Sequence, residues 1–235
     1  MTFTGQFFRT TAICSWLSVV STLVLVLFPR WFPEAADLAA RMDVHGHPAY
    51  LIRSWVYFCH PFLVLGAALG IAVRLIARAP GVAGFGFVCF MLWAFLEAAQ
   101  QGLTLVAFDR IWRPAFYAAD AAGRAAIASH VAVYDALWDS LFFVLVIGFA
   151  LGSVLYGSIL IRTAGLGRAV GWLYLVIAAW SFYGTAVDWG APPLPGILDD
   201  WFYPIVQPIA RTLIGVWLWR SSPVAFSSAQ APGSG

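Results

Sequence analysis

The segment Ala94-Phe95-Leu96-Glu97-Ala98-Ala99-Gln100-Gln101 lies inside an apolar run, residues 82–107, that is long enough to cross a bilayer. On a helix, Glu97, Gln100 and Gln101 fall at i, i+3 and i+4 and share one face. A carboxylate and two amides are costly in hydrocarbon, so that face must turn toward a protein interior, a cavity or one another.

Five further runs resemble this one in length. The spans expected are about 11–29, 51–77, 82–107, 129–161, 168–189 and 201–219. Composition agrees: of 235 residues 62% are hydrophobic and 10% charged, with mean hydropathy +0.83, whereas soluble domains carry about 25% charged residues. The fold class expected is all-α, a polytopic membrane protein with one six-helix transmembrane domain over 1–220. A small, polar tail, 221–235, is expected to be disordered. The run 11–28 is longer than the core of a signal peptide and reads as a retained first span.

The connections alternate in character. Those near 78–81 and 162–167 are short and basic, and with Arg9 and Arg220 that side carries Arg74, Arg78, Arg162 and Arg168 without an acid. The loops near 30–50, 108–128 and 190–200 are long and of mixed charge. Orientation follows basic residues, so both termini are placed in the cytoplasm and the long loops outside. Residues 33–42 and 117–126 read as short helices lying over the outer face, and 190–196 as a Pro/Gly-rich link. The expected location is a cell membrane, crossed several times, of the bacterial inner-membrane type. The turn Arg162-Thr163-Ala164-Gly165-Leu166-Gly167-Arg168-Ala169-Val170-Gly171-Trp172-Leu173 resembles that of bacterial six-helix integral membrane proteins of unknown function. The resemblance covers about 45 residues and implies a fold without an activity.

The in-span polar residues share a depth. Counted from the long-loop side at ~1.5 Å per residue, His60, Glu97, Asp139 and Arg211 lie about nine or ten residues deep, and Asp135, Tyr183 and Gln207 about six. The opposite halves, such as 63–73 and 142–151, are almost wholly apolar. Five helices thus point to one polar pocket open toward the long loops. Pro61, Pro204 and Pro208 beside these positions permit kinks. Arg211 requires a carboxylate, and Glu97 is its natural partner. With a single obligatory cation facing three carboxylates, Asp135 and Asp139, one turn apart, have the better claim to acid–base work, with His60 as base or orienter. Gln100, Gln101, Trp138, Tyr183, Gln207, Arg211, Trp55 and Trp180 are the expected ligand-binding residues, and aromatic walls around a few acids suit an apolar ligand with a polar handle. His45 and His47 read as loop residues.

Several classes are excluded. All 13 basic residues are Arg, so no lysine Schiff base forms. Cys14, Cys59 and Cys89 are odd in number and lack a CxxC spacing. No multi-His spacing and no phosphate-binding Gly motif is present, so no metal, no cofactor and no nucleic acid is expected. The expected function is binding of a lipid-like or isoprenoid-like small molecule, with isomerisation or cyclisation of that ligand by carboxylate acid–base chemistry. A proton-coupled transporter or sensor, and a non-catalytic subunit of a membrane complex, are the alternatives. Expected partners are membrane lipids and the hydrophobic ligand, with a homo-oligomer left open.

Overall fold

The computed structural model of the chain describes residues 2–193, 195–221 and 224–225, and apart from Ser221, Val224 and Ala225 the tail lies outside them. Among the described residues eight α-helices run in order: α1 Gly5–Leu27, α2 Leu38–Gly46, α3 Pro48–Ile76, α4 Pro80–Leu103, α5 Arg113–Ala118, α6 Ala121–Leu160, α7 Leu166–Asp188 and α8 Gly196–Trp219. A π-helical segment, Thr104–Trp112, joins α4 to α5 without a break. The strand pairing among the described residues is one two-residue ladder, Thr2–Phe3 against Val224–Ala225, which ties the two ends of the chain together.

Among the described residues five stretches are long and apolar enough to cross a membrane: Gly5–Trp31, Pro48–Ile76, Pro80–Ala118, Ala121–Leu160 and Leu166–Asp188. Their outward faces carry Ile13, Leu17, Val20, Phe85, Val88, Leu92 and Phe95, all exposed. An apolar surface of this extent requires hydrocarbon rather than water around it, so the chain is a multi-pass membrane protein.

The long helices form a ring in which α1 packs between α8 and α3, α3 meets α4, α4 meets α6, and α6 meets α7. Close approach is set by small residues. A Cβ on Gly70 would collide with Thr11 of α1, and one on Gly171 would lie 2.5 Å from the backbone nitrogen of Ile161. The seam between α7 and α8 is the most sparsely packed in the ring. It is closed by Trp180 stacked on Phe202 at 4.1 Å and by a hydroxyl bond of 2.8 Å between Ser181 and Tyr203. The main core lies toward the short-loop end, where Phe8, Ile71, Leu75, Phe90, Tyr156, Leu160, Val170 and Leu218 are fully or almost fully buried. Tyr156 donates its hydroxyl to the carbonyl of Ala68 at 3.1 Å, which satisfies it there.

The expected boundaries need correction on the long-loop side. The stretch 108–128 is mostly helical rather than loop. Residues 117–126 are not a separate short helix: α5 ends at Ala118, Asp120 caps the next helix by accepting from the Gly123 amide at 2.9 Å, and α6 then runs 40 residues without a stop. At ~1.5 Å per residue it is about 60 Å long, twice the ~30 Å hydrocarbon thickness, so it projects beyond the membrane. The 33–42 helix starts at Leu38, not at Pro33, because the Asp37 carboxylate caps it through the Ala40 amide at 2.8 Å. Residues 196–200 belong to α8, not to a loop. Pro204 cannot donate to the carbonyl of Asp200, and Arg30 fills that acceptor at 2.9 Å while stacking 4.1 Å from the Trp201 ring centre. The proline thus docks the start of α8 on the end of α1.

Candidate functional site

Two cavities occupy the long-loop half of the ring. The inner one, about 310 Å³, is walled by Arg53, Tyr57 and His60 of α3, Trp93 and Glu97 of α4, Gln207 and Arg211 of α8, and apolar residues of α1 and α6. The outer one, about 930 Å³, lies at the α6–α7–α8 seam among Trp138, Asp139, Phe142, Phe143, Trp180, Tyr183, Gly184, Asp188 and Trp189. Phe142, Val146, Ser181 and Tyr203 line both. The Ser181–Tyr203 bond therefore stands at the junction between a polar chamber and an aromatic hall.

The inner chamber gathers residues from six helices, α1, α3, α4, α6, α7 and α8. His60 is buried, with Nδ1 2.7 Å from the Ser21 hydroxyl of α1. That hydroxyl also lies 3.2 Å from the carbonyls of Leu17 and Ser18. When Ser21 donates to those carbonyls, its oxygen accepts from His60 Nδ1–H, and Nε2 keeps its lone pair toward the chamber. Glu97, on the neighbouring helix α4, is buried and lines the same chamber. Arg211, also buried, donates from Nε to Gln207 Oε1 at 3.2 Å, and its backbone carbonyl accepts from Ser15 at 2.6 Å.

The sequence-derived residues divide into groups. His60, Glu97, Gln207 and Arg211 share the inner chamber, and Trp138, Asp139, Trp180 and Tyr183 share the outer cavity. Glu97 and Arg211 face one space without forming an ion pair: the ion pairs within 4.0 Å among the described residues are Arg41–Asp135 and His45–Asp109. Asp135 is not a deep carboxylate. Its side chain is 43% exposed and takes both guanidinium nitrogens of Arg41 at 2.9 Å, because α2 folds back over the extension of α6. Asp139 is exposed on the outer cavity and does not reach the chamber. Gln100 is buried and donates to the Trp138 carbonyl at 2.7 Å, a bond that fastens α4 to α6. Gln101 is buried outside both cavities, and Trp55 is 55% exposed on the outer face of α3, away from either.

Helix α2, which lines neither cavity, packs against α3 and the π-helical turn. His45, expected in a loop, is buried in the last turn of α2 with Nδ1 2.8 Å from Asp109 Oδ1, and its ring centre lies 4.3 Å from that of Phe108. The π-helical turn brings this about by rotating Phe108 and Asp109 inward; such turns recur where a helix must re-aim side chains. Arg113 donates to the Met42 carbonyl at 3.0 Å, and Tyr117 donates to Asp43. Outside the spans, burial lowers the Arg41 pKa, but the Asp135 bond and charge outweigh it and leave the guanidinium held more firmly than usual.

Sequence reasoning missed Arg53, Ser21, Ser181 and Tyr203. Arg53, Tyr57 and His60 stand at i, i+4 and i+7, a pattern that places all three on one face of α3. Among the described residues no group of three His, Cys, Asp or Glu side chains is placed to hold a metal. No family model matches the chain, and neither a curated protein nor a solved structure does.

Proposed function

We propose that the protein binds an amphiphilic, lipid-like or isoprenoid-like molecule, its polar end in the inner chamber and its apolar chain in the outer cavity. The observation that carries this reading is the common wall of Phe142, Val146, Ser181 and Tyr203 between a polar and an aromatic space. Sites for small amphiphiles combine an apolar lining with a few converging polar groups. Glu97 and His60 offer a bound head group proton transfer. On an unsaturated isoprenoid-like ligand that chemistry takes the form of isomerisation or cyclisation, and Glu97 and His60 replace Asp135 and Asp139 in the acid and base roles. A carrier would need a path through the other half of the ring, which Phe90, Tyr156 and Leu160 fill.

The membrane setting we propose has α8 as a sixth crossing helix and both termini in the cytoplasm. In its favour, α8 runs along α1, where Trp16 donates to the Thr212 carbonyl at 3.4 Å and packs on Trp219. Arg74, Arg78, Arg162, Arg168 and Arg220 cluster at one end of the ring, and basic residues mark the cytoplasmic side. A green fluorescent protein fused after Arg220 is expected to fluoresce in bacteria and an alkaline phosphatase fused there to be inactive; the reverse result places that end outside.

Binding is tested with an amphiphile carrying a diazirine at mid-chain. Photolysis is expected to label α6 and α7 peptides containing Phe142, Phe143 or Trp180. Label spread evenly over the lipid-facing residues of α1 and α4 would reject a seated chain.

A further inference from the structure

The inner chamber carries more positive than negative groups. Arg53 and Arg211 line it, and Glu97 is the one acidic residue among its walls. Arg211 is 7% exposed, and its Nη1 is buried with no hydrogen-bond partner. Nε of Arg53 is in the same condition, while the Arg53 guanidinium lies 5.2 and 5.7 Å from the ring centres of Tyr50 and Tyr57. Glu97 relieves neither by an ion pair within 4.0 Å. A buried guanidinium donor without an acceptor is destabilising, and here two guanidinium groups from separate helices line one space, each with a donor that no protein group satisfies. Asp139 and Asp188 are exposed on the outer cavity and repel negative charge there, so an anion is favoured in the chamber alone.

We infer that the chamber binds the anionic head group of the amphiphile, a carboxylate or a phosphate monoester, through Arg211 and Arg53. This rests on the amphiphile reading above. A guanidinium matches the two oxygens of either anion with parallel donors. The chamber, about 310 Å³, leaves space beside such a group for several waters of ~30 Å³ each.

The test compares dodecanoate, dodecyl phosphate and dodecanol by calorimetry on the purified protein in amphipol at neutral pH. At least one anion is expected to bind tenfold or more tighter than dodecanol, and the tighter of the two identifies the head group. Arg53→Gln and Arg211→Gln are each expected to remove most of that preference. Arg53 is half-buried and its removal leaves no cavity in the core, so it serves if Arg211→Gln does not fold. Equal binding of dodecanol and both anions overturns the anionic head group and leaves the amphiphile site standing, as does a preference that survives both substitutions. Absence of binding by all three overturns the amphiphile reading and this inference together.

Discussion

Gly184→Trp is expected to weaken binding of a long-chain amphiphile on the order of 100-fold while leaving the protein as stable as before. Gly184 lines the outer cavity, and a Cβ there meets nothing within 4 Å, so a large side chain enters open space rather than packed neighbours. An indole in that space displaces part of the ligand chain. At about 0.8 kcal/mol per buried methylene, displacing three or four costs roughly 3 kcal/mol, and each 1.4 kcal/mol is tenfold in affinity. Replacing a helical glycine also removes a penalty of roughly 0.5–1 kcal/mol. Gly184→Ala, which adds one methyl group, is expected to keep the affinity. Titration of dodecyl phosphate into the three proteins, with thermal midpoints measured alongside, separates the outcomes. Undiminished binding by the Trp variant would place the chain elsewhere.

Gly171→Val is expected to produce the largest loss of stability of any single change considered. The Cβ would lie 2.5 Å from the nitrogen of Ile161 and 2.8 Å from the carbonyl carbon of Leu160, both backbone atoms. Backbone cannot step aside as a side-chain tip does, so α7 must move off the end of α6. Overpacking costs typically 1–3 kcal/mol when side chains yield and more where they cannot, and the α6 and α7 faces of the outer cavity would shift with the turn. The expected result is a protein recovered in low yield, aggregated on size exclusion. Gly184→Ala is the control that should behave as the parent. A monodisperse Gly171→Val protein with an unchanged thermal midpoint would show that the crossing is looser than described.

The membrane class was readable from composition and run length because hydrocarbon imposes both. Helices expected to cross in alternate directions share a common ruler. Counting placed His60, Glu97, Gln207 and Arg211 at similar levels, and the structure puts all four on one chamber. What depth cannot supply is rotation about each helix axis and the fold of the caps. Asp135 and Asp139 differ by one turn, yet one meets Arg41 from α2 and the other faces the outer cavity. The first contact depends on a helix 94 residues away in sequence. Arg53 escaped notice for a related reason: it sits next to the expected span boundary at Leu51, where an arginine reads as an interfacial cation. The π-helical turn at Thr104–Trp112 has no marker in sequence, and without it Asp109 and His45 both read as loop residues.

In the proposed function the polar chamber and the aromatic cavity hold a single amphiphile between them. The most direct measurement is mass analysis of small molecules released by denaturation from the protein purified without added ligand, in parallel for the parent and Gly184→Trp. An amphiphile of defined mass, in near-stoichiometric amount, is expected from the parent, and its absence from the variant. The same molecules in the same amounts from both proteins, or only bulk membrane lipids from the parent, would contradict it.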